Sequence, residues 1–317
     1  MNPLAYRTAM QEATAPKFRG KEAIKSKVIP RYPESAEREY QRLMREYSVV
    51  YDQVLRAHMP ELKRSLGFYG SNFDDVPRVP DEIFNEIERQ VAEKLLSFSI
   101  RKKLEKIAHM SRKLTVAEWK RVCQRTLGIN IFEDYYNGDF FKDAMDGWVQ
   151  RNVDLIETLS GENLSEMRRI VQEGFAQGRR PEAVAKDINE AYKKTGEHAK
   201  MIARDQTAKL NADVTKKQHE DAGVVEYIWD SSRDQRVRAC HRALHGKKFR
   251  YDDPPEMWYE TKSRGRVYTG QRCNPGEWYQ CRCVAIPVFN IEGVGEIPVG
   301  AVDWDEVDKR LKDVMKK

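Results

Sequence analysis

From Pro33 to about Gly223, apolar residues recur at three- and four-residue intervals. That spacing places side chains on one face of an α-helix. Sustained over so much of the chain, it commits the first two-thirds to packed helices. The segment opened by Pro33-Glu34-Ser35 aligns Tyr40, Leu43, Met44, Tyr47, Val50, Tyr51, Val54 and Leu55 on one stripe, with Leu66-Gly67 as its expected end. Beyond Pro77 and Pro80, Asp81 is placed to cap a second helix. Its face carries Ile83, Phe84, Ile87, Val91, Leu95 and Leu96, and the pattern runs on towards Ile107. Thr115 reads as the start of a short helix ended by Gly128, and residues 128–140 read as a connection rich in Gly, Asn and aromatic residues. Further helices are expected over 143–158, 164–175 and 181–194, where Pro181 suits a first helical turn. Gly196 separates a last helix over 197–221.

After Gly223 the texture changes. Residues 224–229 form a compact β-type run, and 284–289 form a second strand candidate in which Pro287 suits an edge position. Between them lie many of the Gly, Pro and Trp residues and four of the five cysteines. A Gly-rich link over 290–300 leads to an expected amphipathic helix from Trp304 to Met315. The expected fold class is mainly α with a small C-terminal α+β module, loop-rich and short-stranded. The expected organisation is an arm over 1–33, a helical domain over 34–160, the mixed module over 161–290 and a tail helix over 291–317.

Charge and cysteine usage narrow the function classes. The net charge of +6 is unevenly placed: residues 1–30 hold six Lys/Arg against two acids and read as a flexible basic arm. Residues 101–125 hold nine Lys/Arg against Glu105 and Glu118. Such a run is either a solvated helix face or a contact for nucleic-acid phosphates or an acidic protein surface. No stretch has the length and apolarity of a membrane span, and the first twenty residues lack the apolar core of a secretory signal. Five unevenly spaced cysteines do not suggest a secreted disulfide scaffold. There is no G-x-S-x-G elbow, no P-loop and no H-E-x-x-H.

The informative stretch is 199–289. In order it carries Ile202-Ala203-Arg204-Asp205-Gln206, Ala222-Gly223-Val224, Trp229, Asp234-Gln235-Arg236-Val237-Arg238, His241, Leu244, Gly246, Pro275-Gly276 and Cys281-Arg282-Cys283, with Pro287 after them. This series resembles the phage head morphogenesis domain of Mu F-like minor capsid proteins, with a weaker helical resemblance from about Leu164. It departs from that pattern in reading Arg204-Asp205-Gln206 where the family has R-T-E, and in adding Cys240, His245 and Cys273. The resemblance implies a minor head protein, located in the virion at the capsid interior or portal vertex and in the host cytoplasm during assembly. It implies portal, major capsid or scaffold protein as partners, with packaged double-stranded DNA as a contact for segments 1–30 and 101–125, and a role by binding rather than catalysis.

Two residue sets are candidate sites. Arg204, Asp234, Arg236, Arg238 and His241 read as a polar network that holds the module together, with an active site or partner contact as the competing readings. Arg204 is placed to tie loop carbonyls or Asp234 through its five N–H donors. Arg236 and Arg238 share a face of an extended segment. Cys240, His241, Cys273, Cys281 and Cys283 supply zinc-type ligands, of which a tetrahedral site needs four. Neighbouring Cys240 and His241 do not both suit one ion, so the expected set is one of them with Cys273, Cys281 and Cys283. The competing readings are buried reduced thiols with His241 bonded to backbone, or a disulfide. Some relatives carry C-x-x-C and H-x-x-C-R-C at these places, which looks metal-binding. The rival function is a metal-dependent nuclease or DNA-processing enzyme of a mobile element, with His241 and His245 as its candidate residues.

Overall fold

The computed structural model describes residues 3–67, 79–131, 136, 138–232, 235 and 237–294. Five long or medium helices come first in the chain: α1 (Pro3–Phe18), α2 (Glu34–Gly67), α3 (Pro80–Phe98), α4 (Ile100–Thr126) and α5 (Lys142–Ala176), with a 3-10 turn at Asp139–Phe141. They are followed by α6 (Pro181–Asp221), the short α7 (Ala239–Leu244) and α8 (Ile291–Val294). The strands are β1 (Ala23–Lys25), β2 (Glu226–Asp230), β3 (Lys248–Arg250), β4 (Glu256–Thr261), β5 (Gly265–Arg272) and β6 (Val284–Asn290). The expected fold class is therefore observed: long helices, then short antiparallel strands. No helix among the described residues is long and apolar enough to cross a membrane.

The helices run longer than the punctuation suggests. Helices expected over 143–158 and 164–175 are one helix, α5, and those over 181–194 and 197–221 are one helix, α6. Gly161 and Gly196 each cost roughly 1 kcal/mol relative to alanine. That is too little to end helices whose neighbouring turns bury Ile156, Leu164, Ile188 and Ile202. The break expected near Thr115 falls instead at Ser99, which takes the left-handed conformation (φ 54°) between α3 and α4. The Thr115 hydroxyl lies 2.9 Å from the Ser111 carbonyl and 3.0 Å from Asn211 Oδ1, so it bonds back inside α4 and caps nothing.

The described chain divides into two compact units whose segments interleave along the sequence. One comprises residues 37–107 and 147–204, the other 1–36, 108–146 and 205–317. The first is helical. Tyr51, Val54, Leu55 and Leu62 of α2, Ile83, Phe84, Ile87 and Val91 of α3, Leu164, Met167 and Val171 of α5, and Val184 and Ile188 of α6 form its core. Tyr40 donates to Asn152 Oδ1 at 2.6 Å and packs edge-on against Trp148, so its buried hydroxyl is satisfied. Gly174 lets α5 approach α6: a Cβ there would lie 2.5 Å from Val184 Cγ2.

The second unit holds the sheet, in the order β1-β6-β2-β3 with every pairing antiparallel. Period-two alternation divides its side chains. Tyr227, Trp229 and Ala285 join one core with Cys240, Leu244, Met257, Trp258, Trp278, Cys281 and Cys283, while Ile228, Ile286 and Val288 face Ala23 on the other side. β4 and β5 form a separate hairpin. Gly223 ends α6 at φ 67°, and a Cβ there would meet the Gly293 carbonyl at 2.8 Å, so both backbone conformation and space demand glycine.

Two local expectations are corrected here, and a third falls outside the described residues. Residues 3–18 are helical and 23–25 are a strand, where a flexible arm over 1–33 is expected. Phe18, 1% exposed, and the pairing of β1 with β6 hold this segment through long-range contacts that its local pattern does not reveal. Pro287 lies in an interior strand. Its carbonyl accepts from Ser26 N–H at 3.1 Å, so its missing N–H points to the side where β1 has already ended at Lys25, and the ladder to β2 loses nothing. The tail helix expected over 304–315 lies outside the described residues.

Candidate functional site

Arg238 and Asp205, both from the motif series of 199–289, meet at one turn. Arg238, at the N-terminal boundary of α7, donates from Nη1 to the Tyr279 carbonyl at 2.9 Å and stacks its guanidinium over the Tyr279 ring at 4.5 Å. From α6, Asp205 Oδ1 accepts the Gln280 N–H at 2.8 Å, while Lys209 pairs with Asp205 Oδ2 at 2.7 Å. The Tyr279 carbonyl and the Gln280 N–H belong to one peptide group, so that peptide is gripped at both ends by charged side chains. Gln280 is held at φ 52°, a left-handed conformation costly for a residue with a Cβ. Pro275-Gly276 supplies the close approach beneath it: Gly276, at φ 90°, would place a Cβ 3.0 Å from Ala212 Cβ of α6.

The gripped turn delivers Cys281 and Cys283 to His241. His241 Nδ1 lies 3.5 Å from each sulfur, and all three ligand atoms lie within 4.8 Å of one another. The Cys283 N–H points at Cys281 Sγ at 3.4 Å, and the Cys281 N–H bonds the Trp278 carbonyl at 3.1 Å. All three side chains are buried. The rings of Trp229 and Trp278 flank the imidazole at 5.4 and 6.0 Å. His241 Nε2 is buried and has no hydrogen-bond partner among the described residues. The hydrogen bond from Cys283 holds Cys281 well below the ordinary thiol range, and the same bond, with burial, pushes Cys283 up.

The remaining candidates lie elsewhere. Cys240 and Cys273 belong to the same hydrophobic cluster but not to the group of converging ligand atoms, and burial raises both thiols, Cys273 to about 11. Of Cys240 and His241, the histidine is the one whose ligand atom lies in that group. Arg204 pairs with Glu37 at 3.3 Å within the helical unit. Asp234 and Arg236 lie outside the described residues. His245 is apart from His241: its Nδ1 accepts the Ser231 N–H at 3.2 Å and lies 3.5 Å from Asp230. Asp205 is the residue that sequence reasoning missed. Its signal was its place next to Arg204 in the R-T-E-like triplet, one turn before Lys209. A cleft of about 400 Å³ lies in the helical unit among Asn163, Glu166, Arg169, Asp187, Glu190 and His198 and contains none of these residues.

This arrangement covers the region matched by the family described as Phage Mu protein F like protein, over residues 165–286. That match takes in the motif series of 199–286 and less than half of the chain. The family is one of phage head morphogenesis. An uncharacterized protein of Haemophilus influenzae (strain KW20/Rd) is 30% identical over 163 residues, which is 51% of this chain and 33% of that protein. The chain thus matches about a third of that relative's length. No solved structure matches. Within the matched region, the D-x-R-V-R-x-x-H segment and the C-R-C segment, some 40 residues apart, meet at His241 and its two cysteines.

Proposed function

We propose that this chain is a minor head protein of a phage or prophage. In this reading it joins the procapsid in few copies, associates with portal, major capsid or scaffold protein, and affects DNA packaging or ejection by binding. The observation that carries the reading is the Mu F-like match over the module in which Arg238 and Asp205 are spent on holding a turn. Charged groups already committed to backbone partners build a shape, which suits a structural role. The long helices supply surface for protein partners.

DNA is proposed as a contact for the basic run of α4 and for segment 1–30. Part of the run is engaged within the protein: Lys103 pairs with Glu46 at 2.7 Å, Lys106 with Glu39 at 3.3 Å, and Arg121 with Glu118. Lys102, Lys113 and Arg125 are exposed and carry the proposal. Replacing these three with glutamine is expected to reduce the slope of log affinity against log salt by about 2–3. An unchanged slope removes DNA from the partner list.

The test of the main reading is the protein composition of heads from an induced lysogen. Mass spectrometry is expected to find the chain in procapsids, and a tagged copy is expected to retain the portal protein. Absence from heads, with normal packaging in a deletion strain, overturns the reading. Cleavage of plasmid DNA in Mg²⁺ or Mn²⁺ that is lost in His241→Ala would replace it with the nuclease.

A further inference from the structure

We propose that His241 Nδ1, Cys281 Sγ and Cys283 Sγ bind one zinc ion that clips α7 to the C-R-C turn. The geometry is metric. Zinc–sulfur bonds of about 2.3 Å and a zinc–nitrogen bond of about 2.0–2.1 Å, at a tetrahedral angle, set nitrogen and sulfur about 3.5 Å apart. Both Nδ1···Sγ separations are 3.5 Å. The same distance also suits a hydrogen bond to sulfur; the feature that points to a metal is one imidazole nitrogen equidistant from two sulfurs. The N–H of Cys283 aimed at Cys281 Sγ is the kind of outer contact that steadies a metal-bound thiolate. The rings of Trp229 and Trp278 flank the imidazole and hold its orientation.

The ligand set is three protein atoms. Cys240 is adjacent to His241 in sequence and its thiol is turned to the Trp258 backbone, and Cys273 lies outside the converging group. A solvent oxygen completes the tetrahedron. Binding forms one Zn–N and two Zn–S bonds, and the cysteine protons leave to solvent. The ion would act as a cross-link between residues 40 apart in a segment of short strands and loops. This proposal stands on the site alone and is independent of the head-assembly reading.

The test uses the full chain, tag-free and purified without chelator. Elemental analysis is expected to find about one zinc per chain. His241→Ala, Cys281→Ser and Cys283→Ser are each expected to lose it, while Cys240→Ser and Cys273→Ser keep it. Cobalt substitution is expected to give tetrahedral d–d bands and a sulfur-to-cobalt charge-transfer band of the intensity due to two thiolates. Because ligand variants can fail to fold, the wild type supplies a second readout. Alkylation followed by peptide mass spectrometry should find Cys281 and Cys283 protected, then exposed by chelator, and protected again on adding zinc chloride. Wild type without stoichiometric zinc, zinc retained in Cys281→Ser or Cys283→Ser, a third thiolate in the cobalt spectrum, zinc lost from Cys273→Ser, or protection indifferent to chelator each overturns it.

Discussion

Replacing Asp205 with alanine is the sharpest test of how the C-R-C turn is held. Asp205 Oδ1 takes the Gln280 N–H at 2.8 Å, a charge-assisted bond worth about 1.5–3 kcal/mol. The ion pair with Lys209 at 2.7 Å adds less than about 1 kcal/mol, because the lysine side chain is 42% exposed. Gln280 stays left-handed only while the surrounding contacts hold it, and that conformation disfavours a non-glycine residue by about 1–2 kcal/mol. Local opening of the turn is therefore expected to become easier by about 2–3 kcal/mol, a factor of about 30–150 in its opening equilibrium. The assay is native-state hydrogen exchange over the peptide containing residues 279–283. Asp205→Ala should exchange faster there by that factor and leave α2 and α3 unaffected. Asp205→Asn, which keeps an acceptor and loses the charge, should show a smaller effect. Equal protection of 279–283 in the wild type and Asp205→Ala would refute the claim that the gripped peptide positions the cysteines.

Other perturbations test separate parts of the fold. Gln280→Gly relieves the left-handed strain and is expected to slow exchange at the same turn, by about 1 kcal/mol. Gly174→Ala forces a Cβ to within 2.5 Å of Val184 Cγ2, so denaturant unfolding of the helical unit should lose about 1–3 kcal/mol, and Val184→Ala in the same chain should restore part of it. His219, fully buried beside Tyr251 (Oη to Nδ1 2.6 Å) and Trp119, is pushed down to about 3 by burial. Its folded pKa lies below its unfolded value of about 6.5, so the unfolded chain takes up the proton first as pH falls. Stability should decline by about 1.4 kcal/mol per pH unit between pH 6.5 and pH 3. His219→Gln should remove that component of the slope in parallel denaturation series at pH 7, 6 and 5.

How much was legible beforehand depended on whether the information was local. The stripe from Tyr40 to Leu55 predicted α2 and its end at Gly67, because a 3.6-residue period is written in consecutive residues. The merger of α5 and of α6 was not legible, since a glycine's local cost is readable while the buried turns that outweigh it are not. The strand status of residues 23–25 and the interior position of Pro287 rest on pairing between segments more than 260 residues apart (Ala23 to Asn290). Asp205 escaped notice because a carboxylate on a charged helix has no local mark that its partner is a backbone N–H 75 residues away.

By itself, then, the sequence determined the mainly α class, the change of texture after Gly223 and the resemblance of 199–289 to Mu F-like proteins, which the family match over 165–286 supports. All of these lie in residue type and spacing along the chain. The tertiary structure decided which of five candidate ligands converge: His241, Cys281 and Cys283, with Cys240 and Cys273 left outside. It also decided that Asp205 and Arg238 share one peptide group and that Arg204 turns to Glu37. Spacing sets how far a chain can reach, but only the packing of α7, β4 and β6 around the Trp229 and Trp278 rings sets where a 3.5 Å contact occurs.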